Sequence, residues 1–381
     1  MKIITVVFLM LLVSCGKADI RDEAPPSTPS DSASLVLVNA SSTATGNALI
    51  AYNHNGQKKW DFHYTETLDI WSKPALMGSQ ISLAAMNQLH LLDINSGNVM
   101  WSFNQTPRVI NPKFYGDTIV TAASILGPSN MNKIFLLNKH TGLVIWSHTV
   151  TEQPLVTPLI SAGLIYCLTT NTNGTAVNLY AFNLHNKTLA WSKNLATGFL
   201  MAVPPEMIIR NDTLIAGSLA STVTVMNKNS GDVYWSKPIG ASNGFIIGNE
   251  IIYHNSNTYA VEKRNLSDGN VSFQSHPIAW TLNGGPAYIF ENDFYHQVHD
   301  SLFCTSLSTG QVKWKKASPG YFRNFIRVGE TVYATLMDYN LNDQSKVMIM
   351  RASDFTKKDS IVVPKQNLNN ISVFSTSGDF Y

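Results

Sequence analysis

A short motif recurs along this chain at intervals of 38 to 47 residues, and it limits the possible fold more than any other feature of the sequence. Its clearest copy is LLDINSGNVMW, in which an apolar run meets a tight turn at Asn95-Ser96-Gly97 and a second run carries Trp101. Turn residues between two β-rich runs are typical of a β-hairpin. The interval is the length of one four-stranded supersecondary unit, so the chain is expected to stack many copies of one unit.

Eight copies of the unit can be aligned on the aromatic or apolar residue of the last strand. These residues are Trp60, Trp101, Trp146, Trp191, Trp235, Phe273, Trp314 and Ile361. From the second copy onward, another hairpin pattern precedes each unit, and no long helical periodicity competes with it. The sequence therefore predicts an all-β fold, an eight-bladed β-propeller of four-stranded antiparallel blades.

The two ends of the repeat region are incomplete in complementary ways. Residues 34–40 supply one strand instead of two before the first unit, and residues 371–381 repeat the start of a hairpin and then stop. We expect the C-terminal strand to join the first blade and close the ring, because this arrangement leaves no free sheet edge at the seam.

The recurring residues have structural explanations. Glycine at the turn can adopt positive φ, and Asp or Asn four residues earlier can accept hydrogen bonds from the turn backbone. Each repeat tryptophan is expected to dock flat on the neighbouring blade, with its indole N–H on a carbonyl. The docking residues are Trp60, Trp101, Trp146, Trp191, Trp235 and Trp314. Lys187 and Lys357 replace glycine in two units, so we expect those turns to be strained or built differently.

The pattern Ala/Leu-x-Asp/Asn-x-x-Ser/Thr-Gly-x-x-x-Trp resembles the blade repeat of PQQ-dependent quinoprotein alcohol dehydrogenases. It resembles equally the repeat of related non-catalytic propellers, the BamB-type lipoproteins of outer-membrane barrel assembly. The resemblance covers residues 34–381 and implies the fold, but its residues are structural and imply no activity. The dehydrogenases carry a quinone cofactor, a calcium site and, beside the cofactor, an adjacent Cys-Cys pair. This sequence has no Cys-Cys pair. We therefore predict no catalytic, cofactor-binding or metal-binding residues and no cofactor.

The N-terminal segment is predicted to lie outside the propeller. Lys2 precedes an apolar run, Ile3 to Val13, that is too short to span a membrane. The following Leu12-Val13-Ser14-Cys15 is similar to the lipobox of bacterial lipoproteins, which implies cleavage before Cys15 and a lipid on that cysteine. The predicted divisions are a signal peptide (1–14), a lipidated cysteine with a disordered tether (15–33) and the propeller (34–381). The alternative is an ordinary signal peptide with an incidental cysteine.

Two tryptophans outside the repeat position are the best candidates for a binding surface. Trp71 and Trp280 lie in connections between blades, which emerge on one rim of a propeller, and tryptophan is enriched at binding hot spots. Phe199, Tyr321 and Phe322 are placed in equivalent connections and would extend the patch. The alternative is that each aromatic side chain packs under its own loop.

These features predict a membrane-anchored, non-enzymatic scaffold of the bacterial cell envelope, located at the outer membrane. Both the periplasmic and the surface side of that membrane are consistent with the sequence. Its expected partner is an envelope or outer-membrane protein, or a glycan, bound through the loops, and one version is assistance to outer-membrane protein assembly. The net charge of +2 comes without a clustered basic stripe, so nucleic acid is not an expected partner. The alternative is a PQQ-dependent enzyme or a sensor with a small ligand in the central channel.

Two cysteines remain in the propeller. Cys167 and Cys304 lie in apolar runs of repeats that are far apart in order. Because a disulfide requires Cα atoms within about 7 Å, we predict two unpaired and mostly buried thiols.

Overall fold

A computed structural model of the chain describes fourteen segments. They are residues 33–42, 46–64, 74–85, 87–104, 109–123, 132–171, 176–197, 206–217, 222–238, 241–255, 258–277, 287–337, 344–364 and 367–375. These segments consist of strands and turns. None of them contains a helix with the length and apolarity needed to cross a membrane.

The strands of the first half of the ring are short and closely spaced. They are β1 (Ala33–Ser42), β2 (Gly46–Tyr52), β3 (Lys58–Tyr64), β4 (Ala75–Met77), β5 (Gln80–Ala85), β6 (Gln88–Asp93), β7 (Val99–Asn104), β8 (Lys113–Tyr115), β9 (Thr118–Ala123), β10 (Lys133–Asn138) and β11 (Val144–Thr149). They are followed by β12 (Gln153–Pro154), β13 (Leu159–Ser161), β14 (Leu164–Thr170), β15 (Ala176–Asn183) and β16 (Leu189–Thr197).

The second half of the ring repeats the same hairpins. Its strands are β17 (Glu206–Arg210), β18 (Thr213–Gly217), β19 (Thr222–Asn227), β20 (Val233–Pro238), β21 (Ala241–Ile247), β22 (Glu250–Asn255), β23 (Ala260–Asn265) and β24 (Val271–Gln274). The remaining ones are β25 (Ala287–Phe290), β26 (Asp293–Val298), β27 (Ser301–Ser306), β28 (Val312–Ala317), β29 (Tyr321–Val328), β30 (Thr331–Met337), β31 (Gln344–Arg351), β32 (Lys357–Pro364) and β33 (Asn367–Ser375).

The strands form eight antiparallel sheets, which are the blades of a propeller. Blade 1 has the order β3-β2-β1-β33, and blades 2 to 8 each use consecutive strands, from β4–β7 to β29–β32. Blade 4 differs from the others in having five strands, because its inner strand is divided into β12 and β13, which both pair with β14. Pro154 and Pro158 lie at this division, and proline cannot donate to a sheet ladder. The predicted eight-bladed fold is confirmed.

The C-terminal strand closes the ring. β33 pairs antiparallel with β1, and Val36 lies opposite Val373 while Val38 lies opposite Ile371. All four side chains are buried in one cluster that also contains residues of blade 8. The seam therefore has a paired strand on one side and a packed apolar interface on the other, as the incomplete repeats predicted.

The core of the molecule lies between the blades. Each of eight apolar clusters contains residues of two neighbouring blades, and together the clusters connect every blade to both of its neighbours. Because the ring is held by these interfaces, its stability depends on how well each blade packs on the next one.

Four of the repeat tryptophans join their blade to the following one by a hydrogen bond. The indole Nε1 donates to a turn carbonyl of the next blade in four copies, from Trp60 to Ile94 (2.8 Å), Trp101 to Lys139 (2.9 Å), Trp191 to Lys228 (3.1 Å) and Trp235 to Leu266 (2.8 Å). The N–H of the same turn residue donates to the first hairpin turn of its own blade, as from Leu266 to the Asn249 carbonyl. One turn residue thus connects two hairpins and the preceding blade.

The glycine of this turn is required by the docked indole. Gly269 has φ +66°, and a Cβ at that position would lie 2.6 Å from Cδ2 of Trp235. Four residues earlier in another copy, the Asp93 carboxylate accepts hydrogen bonds from the backbone N–H groups of Asn95 and Ser96. The Ser96 hydroxyl donates to the same carboxylate at 2.9 Å, and this bond is the chief cause that lowers the pKa of Asp93, followed by the backbone N–H of Ser96.

Two turns lack glycine and differ from each other. Lys187 occupies the expected position in blade 4, with φ 61° and its N–H donating to the Asn183 carbonyl. In blade 8 the expectation of Lys357 at the turn was wrong, because Phe355 takes the positive φ of 57° and Lys357 already begins β32. The register also places Asp359 opposite Ile349, at the position where blade 6 has Phe273 and the remaining blades have the docking tryptophan. Ile361 lies two residues further on, and its Cγ1 is 3.4 Å from where a Cβ on Gly56 would lie.

The two cysteines lie in different blades and are buried, with no disulfide between them, so the prediction of unpaired thiols is confirmed. Burial raises the pKa of the Cys304 thiol to about 11. It raises the pKa of Cys167 as well, with the Glu152 carboxylate as a second cause. Both side chains act as packing groups in strands β14 and β27.

Candidate interaction surface

The outermost strand of each blade is a sheet edge, and its first residue is exposed and apolar in blades 2 to 7. Blades 2 and 3 are neighbours in which this exposure is combined with an edge strand that has no charged residue. In β7 the exposed fractions are 46% for Val99 and 50% for Met100. In and just before β11 they are 69% for Leu143, 46% for Val144 and 49% for Ile145. We call these five residues the apolar edge. Edge strands also present unpaired backbone N–H and C=O groups, so this surface can pair with another chain.

The apolar edge lies on one arc of the ring, and the outer strands of blades 4 to 7 also begin with an exposed apolar residue. The residue before the docking position is exposed in every blade, and its identity changes around the circle. In order from blade 1 to blade 8 it is Lys59, Met100, Ile145, Ala190, Tyr234, Ser272, Lys313 and Lys358. Lysine on an edge strand discourages pairing with another strand. The edge strands of blades 7, 8 and 1 are therefore protected from pairing with another strand, whereas those of blades 2 and 3 are accessible to it.

Charge is absent from both strands of the apolar edge. β7 (VMWSFN) and β11 (VIWSHT) contain no Lys, Arg, Asp or Glu. The one titratable group, His148, stacks on Trp146 with ring centroids 5.9 Å apart, and burial lowers its pKa. At neutral pH this histidine is uncharged, so neither edge opposes the approach of an apolar strand.

The predicted aromatic patch is only partly within the described residues. Trp71, Phe199 and Trp280 lie outside them. Tyr321 and Phe322 begin strand β29 instead of lying in a connection. Phe322 is fully buried between blades 7 and 8, with its ring 5.3 Å from that of Phe325, because the strand pleat turns it inward. Its expected place in an exposed patch was therefore wrong, while Tyr321 is half-buried.

His296 and His299 lie three residues apart in the segment FYHQVHDS and occupy different environments. His296 is buried in β26, whereas His299 is exposed beyond the end of that strand, with φ 53°. Within the segments that the structure describes, no group of three or more His, Cys, Asp or Glu side chains could hold a metal ion.

A buried carboxylate in blade 6 has a structural role. Glu262 is 2% exposed and accepts hydrogen bonds from Tyr253 Oη (2.7 Å), Asn255 Nδ2 (2.9 Å) and Thr258 Oγ1 (2.9 Å). Arg264 lies 3.5 Å away and supplies the opposite charge. Because both carboxylate oxygens have donors, this group fixes the two hairpins of its blade to each other.

Comparison with known proteins supports a specific relationship. Residues 85–349, more than half of the chain, match the family described as outer membrane protein assembly factor BamB. The chain belongs to the BamB family. No curated relative matches it in sequence.

Solved structures share the BamB-family fold at low sequence identity. BamB from Moraxella catarrhalis is 13% identical, with a TM-score of 0.58 over 80% of this chain and 97% of that one. The dihydro-heme d1 dehydrogenase NirN in complex with DHE is 11% identical, with a TM-score of 0.64 over 90% of this chain and 76% of that one. A europium-containing methanol dehydrogenase is 10% identical, with a TM-score of 0.58 over 80% and 81%. The fold is shared by an assembly factor and two dehydrogenases, so it does not by itself indicate catalysis.

Proposed function

We propose that this BamB-family propeller is a scaffold of the bacterial envelope that holds a protein partner during outer-membrane protein assembly. Membership of the family supports a role of this kind at the outer membrane. The observation that carries the proposal is the apolar edge, two neighbouring uncharged edge strands on a ring whose other side carries lysines. A rigid ring presents such an edge without an ordering cost on binding.

The proposed partner contributes an extended, uncharged segment that adds to β7 or β11. In this mode the main-chain hydrogen bonds give affinity, and alternate side chains give specificity. Val144 and Ile145 point to opposite faces of β11, so both faces of an added strand would meet an aliphatic side chain. The lysines at positions 59, 313 and 358 would direct that segment away from blades 1, 7 and 8.

Introducing lysine into the apolar edge is expected to weaken partner binding without unfolding the protein. The double variant Met100→Lys, Ile145→Lys copies the residue that Lys59 and Lys313 already provide at the same position. We expect partner affinity to fall about tenfold or more, because pairing would then require burial of an ammonium group. Stability should change by less than about 0.5 kcal/mol, since both sites are exposed.

The experiment uses a photocrosslinking residue at position 144 in cells and identifies the crosslinked envelope protein by mass spectrometry. Its binding to purified variants is then measured, with Ser272→Lys in blade 6 as the matched control. Ser272 lies at the same position of its blade and should tolerate lysine without loss of affinity. Equal affinity of the wild type and the double variant would refute the apolar edge as the binding surface.

The aromatic residues outside the repeat position are a proposed second contact with the partner. Trp71, Phe199 and Trp280 belong to connections between blades, and they are the surface on which a propeller of this kind would meet a further part of its partner. Crosslinks from positions 71 and 280, but none from position 144, would show that the partner binds to these connections and not to the apolar edge.

The proposed membrane anchor is a lipid on Cys15. The lipobox-like Leu12-Val13-Ser14-Cys15 supports this proposal, and the polar residues 16–32 provide the tether. The Cys15→Ser variant is expected to lose incorporation of labelled fatty acid and to leave the outer-membrane fraction. Equal labelling of the wild type and the variant would show that the lipid is not on this residue.

A further inference from the structure

The outer strands of blades 7, 8 and 1 are rich in lysine. They are β28 (VKWKKA), β32 (KKDSIVVP) and β3 (KKWDFHY), and together they contain seven lysines and two aspartates. The lysines, all of them exposed, are Lys58, Lys59, Lys313, Lys315, Lys316, Lys357 and Lys358. We call these three strands the lysine arc. Because the net charge of the whole chain is only +2, the lysine arc is a local excess of positive charge.

The ring brings the three strands of the lysine arc together. β3 lies near one end of the sequence, and β28 and β32 lie near the other. Lys316 of blade 7 donates to the Asp354 carbonyl of blade 8 at 2.8 Å. Ile361 of blade 8 lies at the Gly56 turn of blade 1. These contacts make the three outer strands neighbours, so their charges act on the same part of the surroundings.

Much of this positive charge has no carboxylate partner within the protein. Two of the seven lysines pair with aspartates, at 3.1 and 2.6 Å. Within the described segments, Lys59, Lys315 and Lys357 form no ion pair with a carboxylate, and each of them belongs to a different blade of the lysine arc. Discouraging strand pairing requires charge on an edge, whereas two or three lysines on each of three neighbouring edges also create a field that attracts an anionic surface.

The lysine arc includes the blade at which the tether enters the propeller. Ala33 begins β1 of blade 1 and lies 18 positions after Cys15. A flexible chain of that length spans roughly 20 to 25 Å on average. A lipid on Cys15 would therefore hold blade 1 close to the membrane, with the lysines of β3 on the outside of that blade.

We propose that the lysine arc lies against an anionic lipid surface, with its ammonium groups next to the lipid phosphates. Lysine binds phosphate as a compact point charge, and each lysine held at such a surface strengthens binding roughly fivefold. The inference rests on the proposed lipid anchor for the nearness of the membrane and on the described lysines for the contact. The apolar edge of blades 2 and 3 lies outside the lysine arc and stays available to a protein partner.

Binding of the full chain to lipid vesicles tests the proposal by co-sedimentation. Vesicles of phosphatidylcholine alone are compared with vesicles of equal parts phosphatidylcholine and phosphatidylglycerol. We expect the anionic vesicles to bind about tenfold more tightly or better in 0.1 M salt, and this preference to disappear near 1 M salt. Equal binding to the two kinds of vesicle in 0.1 M salt would overturn the proposal. The Cys15→Ser chain should keep the preference, so failure of the anchor and failure of the lysine arc are distinguishable.

A triple variant locates the contact. Lys59→Gln, Lys315→Gln, Lys357→Gln removes one charge from each blade of the lysine arc, and we expect it to reduce the preference for anionic vesicles about tenfold or more. The matched control removes the same charge from blades 3 and 4 and should keep the preference. It is the triple variant Lys133→Gln, Lys187→Gln, Lys193→Gln. Thermal melting establishes that both variants are folded.

Two outcomes would contradict the assignment to a lipid surface. An equal loss of preference in both triple variants would show that net charge, and not the lysine arc, determines binding. A single-stranded oligonucleotide that binds the full chain through the same three lysines, while anionic vesicles do not bind, would assign the lysine arc to nucleic acid.

Discussion

Replacement of Trp235 by alanine is expected to lower the free energy of unfolding by about 3 to 5 kcal/mol, the usual loss for a large buried aromatic side chain. The indole is buried between blades 5 and 6, where it belongs to a cluster with Ile251, Tyr253 and Leu266. Its Nε1 donates to the Leu266 carbonyl at 2.8 Å, and its ring lies on Gly269. Truncation would leave a cavity at the blade interface and a buried carbonyl without its donor.

The measurement is chemical unfolding followed by circular dichroism, because the signal then does not depend on the removed fluorophore. Trp235→Phe serves as the control, since it retains most of the apolar ring and loses the indole donor. We expect this variant to lose about 1 kcal/mol together with a smaller packing loss. An unfolding curve of Trp235→Ala that coincides with the wild type would show that the indole does not hold the two blades together.

Removal of residues 367–381 is expected to prevent formation of a stable monomeric ring. This deletion takes away β33, which supplies one of the four strands of blade 1. Burial of Ile371 and Val373 alone contributes roughly 1.5 to 3 kcal/mol each, and the backbone pairing with β1 is lost as well. The uncovered β1 would present an apolar strand edge, so we expect self-association of the truncated chain.

Light scattering coupled to size exclusion, with thermal melting, provides the measurement. The control removes residues 376–381 alone and leaves β33 complete, so it should behave as the wild type. A synthetic peptide of residues 367–381 is expected to restore the monomer when it is added to the truncated chain. A truncated protein that is monomeric and melts as the wild type would refute the role of β33 in closing the ring.

The fold was predictable from sequence because the same local pattern recurs eight times, so an ambiguity in one copy is resolved by the others. Blade 8 shows where this method fails. Its turn has neither glycine nor tryptophan, and without those markers the sequence cannot distinguish Phe355 from Lys357 as the residue with positive φ. The prediction for Phe322 was wrong for a related reason. A shift of one residue along a strand decides whether a side chain is exposed or buried.

The candidate surfaces were less accessible to sequence reasoning. The apolar edge is visible in the sequence only after the residues before the eight docking positions are compared around the ring, from Lys59 through Ile145 to Lys313.

The interface between blades 6 and 7 gives the ring an intrinsic line of weakness. Phe273 takes the place of the docking tryptophan there and has no indole N–H to donate. Within the described residues, the fully buried part of this apolar cluster consists of Ile252, Val261, Phe294 and Leu307 alone. Local opening begins where few apolar groups are buried. We therefore expect the ring to open first between blades 6 and 7, which are consecutive in the chain. The join of the two termini in blade 1 should stay closed.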